Sequence, residues 1–306
     1  MSSLLQYFVN GLVFSSVIVL GSVGLSIVYS IADFANFAHG DTMTVGAYGA
    51  LVALPTLSGI GGELLGLPLG FYGALLVGMM AAAVVAVATE LVIYRPLDTD
   101  SIGLLITSIG VAFVYRAVLQ ARFGTDFRSY GIERSGPIPG IESALGVTIT
   151  ERAVVMVVCA FVLVLALHLL LQHTTLGRKM RAMSDNPELA RVSGIRTDRV
   201  LLATWVVGAA LAGAGGVFLG LYSSIDPRTG FDLLLVIFAA VILGGIGSVY
   251  GAMAGGFAIG MVHEFTPLLP DLGIPIGTDY ATAVAFVIMV VILLVRPSGI
   301  AGGEAS

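Results

Sequence analysis

Four stretches of this chain are long, apolar and free of charged side chains. They are Phe8–Ala32, Leu64–Thr89, Val200–Ile225 and Leu233–Val262, and each has at least 25 residues. A helix needs about 20 apolar residues to cross the hydrocarbon core of a bilayer. Charged side chains make up only 11% of the chain, against about 25% in a soluble globular domain. So few charges cannot cover a water-exposed surface, so the sequence excludes a soluble enzyme and predicts an integral membrane protein.

Further spans are predicted over Ile102–Gln120, Ala153–Leu171 and Tyr280–Val295. Thr42–Leu57 is shorter and predicts either a short span or a half-span. Leu233–Val262 is long enough for one kinked helix, or for two shorter helices joined by a turn within the membrane. We therefore predict an all-α, polytopic membrane protein with eight or nine transmembrane helices, forming a single domain over residues 1–306.

The basic residues predict the orientation, because cytoplasmic loops carry an excess of Lys and Arg. Six of the 14 basic residues lie in the connection 172–199, which we place in the cytoplasm. The loop 122–152 balances four arginines against four acidic residues and is predicted to be a large extracytoplasmic loop. Arg296 then places the C-terminus inside. No basic residue precedes Arg95, so the N-terminal side stays open, and the first apolar segment lacks the basic start of a cleaved signal peptide.

Several kinds of chemistry find no support in the sequence. The net charge of −5 argues against nucleic-acid binding, and the single cysteine, Cys159, excludes an internal disulfide. The only lysine, Lys179, is followed by methionine, whereas a Walker A loop requires Gly-Lys-Ser/Thr, so another subunit would have to bind ATP. Glu90, Arg116 and His168 lie near predicted span ends and are interpreted as interfacial anchors. We expect no catalytic residue, no metal site and no cofactor.

The cytoplasmic connection contains the segment Thr174–Ile195, which predicts two short helices. Gly177 is expected to end the preceding span, and Arg178–Ser184 has helical propensity. Met180 and Met183 then share one face of this first helix, because residues three apart are neighbours on a helix.

The second short helix begins at a turn. Asn186 is predicted as its N-cap, with Pro187 at the first helical position, and Gly194 closes it after Glu188–Val192. Together the helices make a compact element. The alternative is a basic loop that merely follows the charge rule for cytoplasmic loops.

A polar break separates the first two apolar segments. Asn36, His39 and Asp41 lie close together in a chain that has few polar groups elsewhere. Irregular polar backbone at membrane depth is tolerated only against protein or a watery cavity. The break therefore lines a solute path or braces a discontinuous helix, unless it is simply an interfacial turn.

Glycines recur at helical spacing within Leu243–Gly260. Gly247, Gly251 and Gly255 are four residues apart and predict a smooth helical ridge, which allows another helix to pack closely. The packing is either static or allows helices to slide past each other. The candidate packing residues are Gly244, Gly245, Gly247, Gly251 and Gly255.

Four segments in the same order resemble one known family. They are NFAHG at 36–40, LGRKMRA and ARVSGI within 176–195, LGGIGS at 243–248 and Arg-Pro-Ser-Gly at 296–299. These segments are similar to those of the membrane-spanning permeases of branched-chain amino acid ABC importers, the LivH type. The resemblance extends from about residue 11 to residue 299.

The resemblance implies an importer in which two permeases, identical or sister chains, act with two ATPase subunits and an extracytoplasmic substrate-binding protein. It also places ATPase contact on the cytoplasmic connection. The residues concerned are Gly177, Arg178, Lys179, Met180, Arg181, Met183, Asp185, Pro187, Glu188, Ala190 and Gly194. We expect Arg178, Lys179 and Arg181 to meet acidic groups of the ATPase, with Met180 and Met183 filling a groove on it.

The implied function is ATP-driven import of branched-chain amino acids, with Asn36, His39 and Asp41 as path or gate candidates. Urea or a short-chain amide remains an alternative substrate, and a gradient-driven carrier remains an alternative class. Two positions depart from the family pattern. Tyr250 stands where proline is common, and Asp41 stands where glutamate is commoner.

Overall fold

The computed structural model describes residues 2–97, 99–132, 136–138, 146–270, 277, 280–296 and 298–301. The helices are α1 (Ser2–Ala32), α2 (His39–Leu57), α3 (Leu69–Thr89), α4 (Ser101–Phe123), α5 (Glu151–His173), α6 (Thr175–Asp185), α7 (Pro187–Val192), α8 (Thr197–Tyr222), α9 (Thr229–Gly244), α10 (Val249–Phe265) and α11 (Ala281–Val295). A π-helix, Glu90–Tyr94, continues α3, and a 3₁₀ turn, Thr266–Leu268, continues α10. One small antiparallel hairpin pairs β1 (Glu63–Leu64) with β2 (Leu67–Pro68).

Among the described residues, five helices are long and apolar enough to cross a membrane. They are α1, α3 with its π-helix, α4, α5 and α8. Helix α1 lies at the centre of the bundle, because 89% of its most apolar 18-residue window is buried. The same windows of α4 and α5 are only 22% and 28% buried, so these two helices lie at the periphery. The predicted all-α architecture is confirmed.

The segment Leu233–Val262 forms two helices rather than one. Helices α9 and α10, of 16 and 17 residues, are joined by the turn 245–248 and pack as an antiparallel hairpin. A Cβ atom at Gly251 would collide with the carbonyl of Gly244, and one at Gly255 with that of Ala240. Gly247 lies in the turn with φ +81°. Gly247 is therefore not part of the predicted helical ridge. A four-residue spacing alone could not show that this glycine lies in the turn before the helix.

The two ends of the bundle differ in charge. One end, which we call the basic end, carries α6, α7 and the start of α8, where Arg95 forms a 2.9 Å ion pair with Asp198. The opposite, loop end carries the connection between α4 and α5. There the Gln6 side chain near the start of α1 donates to the carbonyl of Thr148 over 3.1 Å. Helix α1 therefore runs from the loop end to the basic end.

The connection between α4 and α5 is anchored on the bundle by Tyr130. The Tyr130 hydroxyl donates to the carbonyl of Ala47 over 3.0 Å, and Arg128 forms an antiparallel bridge with Ile225. Burial raises the pKa of Tyr130 well above its usual range, so its hydroxyl keeps its proton at any physiological pH. This part of the predicted extracytoplasmic loop therefore packs into the helices instead of lying free.

Candidate translocation and coupling sites

Helices α2 and α9 both begin inside the bundle. The His39 ring nitrogen Nε2 lies 2.8 Å from the carbonyl oxygen of Gly21, which is 11 residues, or about 16 Å, before the end of α1. Beside it Gly40 meets Gly230, where a Cβ on either residue would collide with the carbonyl of the other. We call this contact between the first turns of α2 and α9 the junction.

The polar atoms of Asn36 and His39 form hydrogen bonds next to the junction. The Asn36 side-chain oxygen accepts from the backbone N–H of Ala38 over 3.0 Å and from the Tyr94 hydroxyl over 3.4 Å. Asn36 and His39 are both 2% exposed. In this conformation they brace the break between α1 and α2, which is one of the two roles that the sequence left open.

Asp41 is fully buried and forms an ion pair with a helix that is distant in sequence. Arg116 of α4 donates from Nε and Nη2 to the two carboxylate oxygens, each over 3.1 Å. The arginine side chain is 11% exposed and the aspartate 0%. The expectation that Arg116 anchors the chain at a membrane interface is therefore wrong, because its guanidinium turns inward to Asp41. Glu90 also departs from that expectation, since it is buried.

Aromatic rings and a second carboxylate surround the Arg116 guanidinium. Its Cζ lies 4.2 Å from the centre of the Phe231 ring and 5.3 Å from that of Phe113, which are cation–π distances. Asp232, in the first turn of α9, has an exposed side chain and lies within electrostatic reach of Asp226, Arg228, Arg116 and Asp41. Charged residues inside a membrane bundle commonly mark a functional site. The sequence analysis missed Asp232 altogether.

The element at the basic end consists of two capped helices. The Thr174 hydroxyl accepts from the N–H of Gly177 over 3.0 Å and begins α6. The Asn186 side chain accepts from the N–H of Leu189 over 2.9 Å, with Pro187 at the first position of α7. Gly194 follows α7 with φ +82°.

Three of the expected ATPase-contacting residues are buried, a fourth folds back on α5, and Gly177 has another role than predicted. Helix α5 ends at His173, before Gly177. Gly177 lies in the first turn of α6, where it packs against the last carbonyls of α5. Met180 and Met183 are 2% and 8% exposed, so the chain itself covers the face that they share. Ala190 is also buried. Arg181 folds back on α5 and donates to the side-chain oxygen of Gln172 over 3.1 Å.

The outer face of this element combines basic and apolar side chains. Arg178 and Lys179 of α6 are exposed, as are Asp185, Pro187 and Glu188. On α7, Leu189 and Val192 are 63% and 86% exposed. These two residues lie three apart on one helical face. The sequence analysis passed over them because a helix of only six residues is too short to show a periodic pattern.

Tyr250 connects this end of the bundle to the hairpin of α9 and α10. Its hydroxyl accepts from Gln172 Nε2 over 2.8 Å and lies 2.9 Å from His168 Nδ1. Because Gln172 also accepts from Arg181, a chain of hydrogen bonds runs from α6 through α5 to α10.

We expect Tyr250→Phe to lower the free energy of unfolding by about 1 kcal/mol, since the Gln172 amide loses its acceptor. Thermal unfolding of the purified protein in detergent measures this. The matched control is Tyr280→Phe, because the Tyr280 hydroxyl has no hydrogen bond among the described residues. Equal melting temperatures for the two variants would contradict the role of Tyr250.

The sequence matches a known protein family over most of its length. The sequence model of the family described as "Branched-chain amino acid transport system / permease component" matches residues 7–293. The chain belongs to this permease family. It is 32% identical to the high-affinity branched-chain amino acid transport system permease protein LivH of Salmonella typhimurium, covering 97% of this chain and 95% of that protein.

Two further relatives come from other organisms. The permease is 33% identical to the high-affinity branched-chain amino acid transport system permease protein BraD of Pseudomonas aeruginosa, over 97% of this chain and 95% of that one. It is 30% identical to a probable branched-chain amino acid transport permease protein LivH of Methanocaldococcus jannaschii, over 96% and 91%. The predicted resemblance is confirmed.

Family membership establishes the general role of the chain. The permease is a multi-pass protein of the inner membrane and a transport subunit, with ATP hydrolysis carried out by a separate subunit. A permease component of this kind works with an ATPase and a substrate-binding component of the same transport system.

Proposed function

We propose that the permease imports leucine, isoleucine and valine, driven by ATP hydrolysis in partner subunits. The observation that carries this proposal is the capped two-helix element α6–α7, which presents Leu189 and Val192 beside exposed basic side chains. An unstructured loop that merely carries the Lys and Arg excess of cytoplasmic loops needs neither helix caps nor exposed apolar residues. The printed names of the relatives supply the substrate class.

The basic end of the bundle faces the cytoplasm in this proposal. The connection 172–199 is then the coupling loop, the loop 122–152 and the start of α1 face outward, and the C-terminus lies inside. All these segments belong to one transmembrane domain, residues 1–306. Outside, a binding protein delivers the amino acid to the loop end.

Two permease chains, identical or sister, enclose the path. ATP binding draws two ATPase subunits together and pushes α6 and α7, and the Tyr250 hydrogen bonds pass this motion to the hairpin of α9 and α10. Asn36, His39 and Asp41 hold the break in α1–α2 and act at the path or its gate. Such switching needs two discrete states that ATP and the solute favour differently.

The test uses the permease with its ATPase and binding protein in vesicles. We expect leucine-loaded binding protein to stimulate ATP hydrolysis several-fold over the unloaded protein. Stimulation by a urea-loaded or amide-loaded binding protein alone would leave the architecture standing and reject the amino-acid substrate. If no ATPase subunit can be captured, the proposal fails.

A further inference from the structure

We propose that Arg116, Asp41 and Asp232 form a binding site for the two charged groups of an amino acid, beside the junction of α2 and α9. Arg116 binds the α-carboxylate, while the two aspartates bind the α-ammonium group. The proposal rests on the proposed function, because it states how the transported solute is held on its way through the permease.

The first argument is the position of Asp232. It lies two residues from Gly230, which contacts Gly40 at the junction inside the bundle. Its side chain is nevertheless exposed on this chain, and it has no hydrogen bond or ion pair within the described part of the protein. A carboxylate at membrane depth is costly against lipid. This face therefore lines an aqueous path, and the carboxylate is available to a cationic group.

The second argument is that Arg116 has binding capacity left. A guanidinium has five N–H donors in a planar fork, and only Nε and Nη2 are occupied by Asp41. An arriving carboxylate takes the remaining donors or replaces Asp41. In the second case the ammonium group of the same solute compensates Asp41 and Asp232. In both cases Arg116 keeps a carboxylate partner and Asp41 a cationic one, so neither of these two buried charges is left unpaired.

The third argument concerns the solute side chain. Phe113 and Phe231 flank the guanidinium and are 60% and 41% exposed. Their rings offer apolar surface to an aliphatic side chain beside the charged groups. A neutral solute such as urea would satisfy neither the arginine nor the aspartates. The site therefore selects zwitterions with apolar side chains.

The decisive variant is Asp232→Asn, which removes a charge but no contact that the fold requires. In vesicles with the ATPase and binding protein, we expect leucine uptake to fall about tenfold, the usual scale for losing one charge-assisted bond. Capture of the ATPase subunits by this variant should stay within about twofold of wild type, because α6 and α7 are untouched. Asp33→Asn is the matched control, since Asp33 is an exposed aspartate outside the coupling loop, and its side chain has no hydrogen bond or ion pair among the described residues. Uptake equal to wild type by Asp232→Asn overturns the proposal.

A second variant separates binding from structure. The double change Asp41→Leu with Arg116→Leu replaces a buried ion pair by apolar side chains, which commonly preserves folding. We expect an assembled complex with leucine uptake reduced at least tenfold. Wild-type uptake in this double variant would overturn the proposal, and if it does not assemble, Asp232→Asn decides alone. If the wild-type complex itself shows no stimulation by loaded binding protein, the proposed function fails instead.

Discussion

Gly216→Val is expected to prevent the permease from forming its helical bundle. A Cβ atom at Gly216 of α8 would collide with the backbone carbonyl of Met43 in α2. Backbone cannot move aside as a flexible side chain can, so α2 and α8 would separate. Overpacking a well-packed core costs about 1–3 kcal/mol, and more where backbone is in the way. The measurement is the fraction of monodisperse protein after detergent extraction, together with its melting temperature.

The matched control is Gly110→Val, which makes the same change in α4. A Cβ atom at Gly110 would meet open space. Both variants lose the same helical glycine and gain the same β-branched side chain, so intrinsic propensity cancels in the comparison. Comparable yield and melting temperature for the two variants would show that the close approach of α2 and α8 does not hold the bundle together.

Leu189→Asp combined with Val192→Asp is expected to weaken ATPase binding about 30-fold or more while leaving the permease folded. Both side chains are exposed on α7, so the permease has little reason to unfold when they become polar. Apolar residues at the centre of an interface contribute about 2 kcal/mol or more, which corresponds to a roughly 30-fold weaker Kd. Capture of the purified ATPase by immobilised permease measures this loss.

Two further variants serve as controls for this prediction. Leu64→Asp changes an exposed leucine at the loop end and should leave ATPase capture within about twofold. Met183→Asp places a charge where the chain buries an apolar side chain, and it should lower the yield of folded permease itself. Undiminished capture by the α7 double variant would show that the ATPase binds elsewhere.

Much of the fold follows from local sequence signals. Uncharged runs mark the long helices, and Asn186 with Pro187 marks the start of α7 because capping depends on residues only three positions apart. The family resemblance rests on short segments that lie at such local features. Leu233–Val262 remained ambiguous because an apolar run gives a length but not the place of a turn.

The remaining features depend on contacts between distant residues. Arg116 and Asp41 are 75 positions apart, and nothing in the residues around Arg116 distinguishes an interfacial anchor from half of a buried ion pair. The spacing of Met180 and Met183 was sufficient to place them on one helical face. It did not tell whether a partner subunit or the same chain covers that face, and the fold covers it with the chain itself.

The central claim is that ATP hydrolysis in a partner subunit, and not an ion gradient, drives solute through this permease. It is tested most directly by radiolabelled leucine uptake into vesicles that contain the permease, its ATPase and its binding protein. The account predicts uptake that requires hydrolysable ATP on the side of the basic end and is unchanged by a protonophore or a sodium ionophore. Uptake that collapses with the ionophore and proceeds without ATP would contradict it.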